Sequence, residues 1–426
     1  MDINRKTAYN VLFDVEKNGS YSNIELNRQI RLLNPDSPAF VRELVYGVIE
    51  NLIYIDHILS KLIDKGLKGV KKQPLTLLRM GIYQLRFMDS VPEYAAVNET
   101  VNMARKLARG REGFVNGVLR GYIKRKAEDF LPDRDEDTVS YLSVKYSYAP
   151  WIVELWLDQY GEENTEAMLA AGNETPPLSV RVNTLKTDRD ELAGKLEALG
   201  FDVEKGALSK RVLFVNGAGL LDTEEFLEGL FSVQDESSVV AVETLMPEPG
   251  DKVIDMCAAP GGKTLAIAEC MENIGTIKAY DVYEHKLELI KNESSRLGIS
   301  IIEIGEQDGT IYNGQIEQWA DRVLVDGPCS GLGVVRRKPE IKYRKLDDNG
   351  MELAEKQLAI LDNAGRYVKP GGYLLYSTCT INKIENDNVA DEFIRLHPEF
   401  KEMSRRQLIP GTDETDGFFI CRFKRI

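Results

Sequence analysis

The chain has 426 residues, 43% of them hydrophobic and 29% charged, ordinary values for a folded protein of about two to four domains. No window approaches ~18 uninterrupted apolar residues, which excludes a membrane span, and the opening MDINRKTAYN lacks the apolar core of a signal peptide. The five cysteines, an odd number without metal-type spacing, fit a reduced cytoplasmic setting better than a disulfide framework and predict no metal site.

The net charge of −14 argues at face value against a nucleic-acid partner, but its distribution does not. Residues 1–150 hold 23 Lys and Arg against 19 Asp and Glu, a net of +4 that leaves −18 for the remainder. Lys61–Lys126 carries 15 basic and 5 acidic residues, which predicts a surface facing RNA. Over the same region apolar residues recur at helical spacing: Ala8, Val11, Leu12 and Val15, then Val41 to Leu52, then Ile55 to Ile63. Breakers at Asn18-Gly19-Ser20, Asn34-Pro35-Asp36, Gly66 to Gly69 and Pro92 separate them, so residues 1–130 read as a helical bundle.

Residues 131–175 read as a helical linker whose aromatics (Tyr146, Tyr148, Trp151, Trp156) belong to a core rather than a base-stacking platform. Residues 176–230 read as a small α+β unit: SVRVNT as a strand, a helix over Arg189–Leu199 stopped by Gly200, then strand-like VEKGA and VLFV. Phe231–Leu245 is expected to be one helix leading into the last domain, residues 231–426. There strands and helices alternate: KVIDM, TIKAYDV, IIEIGEQD, DRVLVDGP, GYLLYSTCT and a terminal FFICRFKRI. A mostly parallel, doubly wound α/β sheet follows, with functional residues at the strand C-termini.

Those C-termini concentrate the chemistry. Val253–Thr264 is a strand, a small-residue turn and a helix start, so its glycines let backbone approach a ligand. Asp281 ends the next strand, where an acid accepts from ribose hydroxyls. Asp308 ends the third strand, where an acceptor meets an adenine amino group, and Asp326 ends the fourth. The turn is CAAPGGK rather than G-x-G-x-x-G, which favours S-adenosylmethionine over a dinucleotide. Cys329 (DGPCSG) and Cys379 (STCT) sit in two further turns at the same sheet edge. Carbon 5 of a pyrimidine becomes reactive only after a nucleophile adds to carbon 6, and a thiolate serves that purpose. Arg336, Arg337, Lys338, Lys342, Arg344 and Lys345 follow the first of these turns and are expected to grip RNA phosphates. Asn382, Glu385 and Asn386 either order the Cys379 turn or cap a helix. His57, His285 and His397 have no partner at catalytic or metal spacing.

AYNVLFDVEKNGSYSN, RELVYGVIENL, LLRMGIYQLRFMDSVPEYAAVNETVNMAR and GFVNGVLR together resemble the NusB-type helical RNA-binding domain. The 176–230 unit resembles the RRM-like subdomain that precedes the catalytic domain in such enzymes. CAAPGGKT, DVYEHKL, DGPCSGLGVVRRKPEIKYR and YSTCTINKIEN, in that order, resemble the Sun (RsmB) family of small-subunit ribosomal RNA cytosine-C5 methyltransferases. The resemblance implies a NusB-like bundle, an RRM-like insert and a Rossmann-like catalytic domain acting on a specific cytosine of 16S ribosomal RNA. It implies that Cys257, Ala258, Ala259, Pro260, Gly261, Gly262 and Lys263 line the cofactor loop. Asp281 takes the ribose, Asp308 lies by the adenine, and Asp326 sits beside cofactor and base. Cys379 is the nucleophile, Cys329 assists product release and Lys263 polarises the base. Tyr283 stands where an acid is more usual, and the spacing around Asp308 varies. A monomer is favoured. A transfer-RNA methyltransferase would share the catalytic motifs, and a non-enzymatic RNA-binding assembly or antitermination factor would need only residues 1–130.

Overall fold

Two compact units make up the chain in the computed structural model, which describes residues 1–18, 22–346 and 348–426. The first unit is Met1–Leu169 together with Lys338–Arg344. Its helices Ile3–Asn18, Ser22–Leu33, Pro38–Glu50, Leu52–Leu62, Lys72–Phe87, Glu93–Leu107 and Glu112–Arg125 enclose one core through the residues whose spacing predicts them, including Val11, Leu44, Val48, Ile55 and Leu59. The expected break at Gly19-Ser20 lies outside the described residues. Local chemistry sets the other boundaries. Ser37 accepts the Phe40 N–H and Pro38 opens the helix, where its missing N–H costs nothing.

Helices Thr138–Tyr146 and Pro150–Ala171 follow, the second kinked at Gly161. Tyr148 and Trp156 are fully buried with ring centroids 5.6 Å apart, so these aromatics are core. Residues 131–175 thus hold packed helices, and the contacts divide the chain after Leu169 rather than at 130 or 175.

The second unit begins with a four-stranded antiparallel sheet, β1 (Ser179–Val182), β2 (Asp202–Lys205), β3 (Val212–Asn216) and β4 (Phe231–Val233), in the order β2-β3-β1-β4. Helix Arg189–Ala198 packs on it, capped by Asp188, and Gly200 turns the chain at φ 90°. β4 corrects the expectation of one helix over Phe231–Leu245. Val180 pairs with Val233, and only after Gln234 does Asp235 cap a helix at Glu236–Leu245.

The larger sheet runs β10-β11-β9-β8-β5-β6-β7, with β5 (Lys252–Asp255), β6 (Thr276–Asp281), β7 (Ile302–Glu306), β8 (Ala320–Asp326), β9 (Val368–Thr378), β10 (Phe400–Leu408) and β11 (Phe418–Arg425). β5 to β9 are parallel; β11 and β10 are antiparallel additions. Strand order reverses at β5, which has β6 on one side and β8 on the other. In such sheets the crevice at that reversal is where ligands bind. No helix among the described residues is long and apolar enough to cross a membrane.

Candidate active site

The chain leaves β5 pinned on both sides. The Met256 N–H donates to the Leu324 carbonyl at 3.0 Å, and the Ala258 N–H to the Tyr280 carbonyl at 2.8 Å. The turn then passes a cis Ala259–Pro260 peptide and reaches Gly261 at φ 108°, where a Cβ would lie 2.9 Å from Ile290. Helix Gly262–Cys270 opens at once, with unpaired N–H groups at its start. A cavity of about 230 Å³ adjoins this turn, lined by Asp255, Cys257 to Pro260, Gly262, Lys263 and Asp326 from the large sheet, and by Val233, Gln234 and Ser238.

Asp281 ends β6, where its Oδ2 accepts the Ala259 N–H at 3.2 Å and its Oδ1 the Tyr283 N–H at 3.1 Å. Each oxygen keeps a lone pair for a further donor. Asp308 is exposed beyond β7 and is not among the residues lining the cavity. Its Oδ1 accepts both the hydroxyl (2.7 Å) and the N–H (2.9 Å) of Thr310, which hold the carboxyl below its usual range. Asp255 is buried and pushed up to about 7 by desolvation, with the Asp326 charge adding and the Thr264 hydroxyl opposing. Its Oδ1 has no protein partner among the described residues, so a polar atom remains for a ligand at the cavity wall. Burial, then the Asp255 and Asp326 charges, push the Cys257 thiol well above its ordinary value, which suits a wall and not a nucleophile.

The other two thiols meet. Cys329 Sγ and Cys379 Sγ are 3.3 Å apart, with no disulfide between them. Asp326, at the end of β8, accepts from Lys263 Nζ at 2.7 Å and from Ser377 Oγ at 2.9 Å. Burial works to lower the Lys263 ammonium, but Asp326, then Cys379 and Asp255, outweigh it, so Lys263 stays charged beside both sites. The Cys329 thiol is raised by its contact with Cys379 and by burial. The backbone joins the two turns: the Gly327 N–H donates to the Ser377 carbonyl at 2.9 Å and the Gly333 N–H to the Cys379 carbonyl at 3.0 Å. Asn386 starts helix Asp387–Leu396 without capping it; its side chain bonds Thr378, Thr380 and Gln407 instead.

The basic run behaves otherwise than its composition suggests. Arg336 and Arg337 both pair with the buried Asp416, and Arg337 also with Asp235 at 2.7 Å. Lys342 is 0% exposed within the first unit, 4.6 Å from the Tyr148 ring centroid, and burial pushes its amine down to about 7. These three face protein, so the expected phosphate grip reduces to the exposed Lys338, Arg344 and Lys345.

The sequence reading also passed over a buried support. Arg181 of β1 donates to the Gly262 carbonyl at 2.8 Å, bonds Gln234, and forms a bidentate pair with Glu269, both side chains 0% exposed. The small sheet thereby holds the Gly261–Gly262 turn. The signal was a charge at an apolar position in each partner, SVRV and LAIAEC, since buried charges occur in pairs.

A reversed parallel sheet, a glycine turn into a helix and an acid at the end of β6 are the features of an S-adenosylmethionine-dependent methyltransferase. Residues 242–424 match the 16S rRNA methyltransferase RsmB/F family, residues 2–124 the NusB family, and residues 148–221 the ferredoxin-like domain of RsmF/B-like methyltransferases. A probable ribosomal RNA small subunit methyltransferase B from Bacillus subtilis (strain 168) is 39% identical, covering 99% of this chain and 98% of its own. The ribosomal RNA small subunit methyltransferase B of Vibrio vulnificus (strain YJ016) is 33% identical over 97% of both. The crystal structure of PH0851 superposes with a TM-score of 0.83 at 27% identity, covering 98% of each chain. The chain belongs to the ribosomal RNA small subunit methyltransferase B family.

Proposed function

We propose that this methyltransferase modifies carbon 5 of a cytosine in 16S ribosomal RNA, by family resemblance position 967, through a covalent bond between Cys379 and carbon 6. The observation that carries the reading is the pair of thiols 3.3 Å apart beside Lys263 and Asp326. A methyltransferase acting on an exocyclic amine has no use for two thiols there. S-adenosylmethionine, held by the Cys257–Lys263 turn and Asp281, supplies the electrophilic methyl group; Asp308 is the expected adenine acceptor.

The Lys263 ammonium interacts with Cys379, whereas contact with Cys379 and burial hold Cys329 as a thiol. The Cys379 sulfur adds to carbon 6, which makes carbon 5 nucleophilic. Asp326 holds the N3/N4 edge of the base, with Lys263 polarising it. Once carbon 5 carries the methyl group a base takes its proton, the electron pair restores the 5,6 double bond, and the S–C6 bond breaks to release the Cys379 thiolate. Cys329 assists that release.

Cys379→Ala should abolish methylation, and Cys329→Ala should accumulate an RNA–protein adduct that survives a denaturing gel. Normal turnover in Cys379→Ala, or the adduct appearing in that variant instead, would sink the assignment. Bisulfite sequencing of treated 16S and transfer RNA locates the base and separates the two substrates.

RNA docking is assigned to the helical unit. A groove of about 670 Å³ between the 62–74 segment and helix Glu112–Arg125 is rimmed by the exposed Lys65, Lys68, Lys71 and Arg111. These cations lie within the basic Lys61–Lys126 stretch and match a phosphate backbone in charge.

A further inference from the structure

Glu385 lies six residues beyond Cys379 and is 0% exposed. Its Oε2 accepts the Ser330 N–H at 2.8 Å and an N–H of Gln357 at 3.2 Å. Its Oε1 accepts the Ser330 hydroxyl at 2.5 Å and an N–H of Asn382 at 3.1 Å. Among the described residues no Lys or Arg pairs with it, so four neutral donors satisfy a buried carboxylate. Ser330 directly follows Cys329, and Asn382 belongs to the turn that carries Cys379. The Ser330 hydroxyl also meets Thr380 Oγ1 at 2.8 Å, and the Tyr376 hydroxyl donates to the Glu385 carbonyl at 2.6 Å. A helix cap does not account for this, because every bond of the Glu385 carboxylate runs to the two cysteine turns or to Gln357. Gln357 in turn donates to the Pro328 carbonyl at 2.8 Å, immediately before Cys329.

We propose that Glu385 is the positioning residue of the thiol pair, holding the Cys329 and Cys379 turns together so that the two sulfurs stay in contact. The proposal rests on the reading of these cysteines as the reacting pair. Only a carboxylate fits the position. A glutamine would turn an NH2 group toward either the Ser330 and Gln357 N–H groups or the Asn382 N–H, deprive at least one of them of its acceptor and push the turns apart.

Glu385→Gln and Ser330→Ala are the test variants, each read in two assays on the full chain. The first is kcat and KM for methyl transfer to RNA, per cofactor site counted by titration with S-adenosylhomocysteine. The second is the rate at which dibromobimane bridges Cys329 to Cys379, located by peptide mass spectrometry, which needs no RNA substrate. Glu385→Gln should lower kcat and the bridging rate by about tenfold or more, with KM for the cofactor unchanged. Ser330→Ala, which keeps the backbone N–H bond, should move both in the same direction by less. Wild-type kcat and bridging in a Glu385→Gln protein that binds cofactor overturns the proposal. If that variant binds no cofactor, Ser330→Ala decides on the same two readouts. Slowed bridging in variants of a protein that never methylates cytosine would leave the positioning role standing and remove the cytosine reading.

Discussion

Asp255 has a folded-state value near 7 against an ordinary 3.8, and the direction of the consequence follows from proton counting. The folded chain binds its proton more tightly than the unfolded chain, so the group contributes stability at low pH. That contribution is lost as pH rises from about 4 to about 7. Asp255→Asn keeps an acceptor for the Thr264 hydroxyl and does not titrate. Melting temperatures taken from pH 4 to 8 should show the variant gaining on the wild type by several degrees across that window and holding level above it. A constant offset at every pH would contradict the burial argument. At this scale much of the placement was legible: Asp281 and Asp326 end strands, Lys263 starts a helix, Cys329 and Cys379 lie in turns just beyond strands, and short motifs carry that placement. Arg336, Arg337 and Lys342 were misread because a run of charges does not reveal what lies opposite it. Their partners, Asp416, Asp235 and the 148 ring, come from distant parts of the chain.

The turn after Cys329 allows no side chain at Gly333. A Cβ there would lie 2.0 Å from the Gly417 carbonyl oxygen and 2.9 Å from that of Cys379. Gly333→Ala must therefore displace the Cys379 turn. It should cost about 1–3 kcal/mol of stability by denaturant unfolding and about 10²-fold in kcat, with KM for the cofactor little changed. Among the elements, the parallel strands were readable because each carries apolar residues at strand spacing and leads into an acid or a small-residue turn. β10 escaped notice for a physical reason. It is an edge strand, buried only at Phe400 and Leu408, with the charged sequence KEMSRRQ that discourages pairing with another chain. β4 was absorbed into the following helix because three residues, FSV, are too few to show an alternation, and only pairing with β1 fixes them as strand.

The charge imbalance between the two halves makes sense if the helical unit carries the affinity for RNA and the acidic remainder carries the chemistry. Replacing Lys65, Lys68 and Lys71 by Ala should weaken RNA binding and reduce the slope of log affinity against log salt by ~3, measured by filter binding across a salt series. Lys342→Met should leave that slope unchanged, since its amine never reaches solvent, and should leave the melting temperature equal or higher, because a charge is no longer buried. Equal loss of affinity in both variants would show that charge in general, not the groove, governs binding.

Residues 338–344 count with the helices although they leave and rejoin the methyltransferase portion of the chain. Tyr343 donates to the Ile49 carbonyl and accepts the Leu52 N–H, the Trp151 indole donates to the Arg344 carbonyl, and the Ala149 N–H donates to the Lys342 carbonyl. On the ribosome, then, the N-terminal unit emerges first and finishes late. Its last strip of sequence is translated only after most of the methyltransferase, so the nascent helices wait with an open seam that no residue before Lys338 can close.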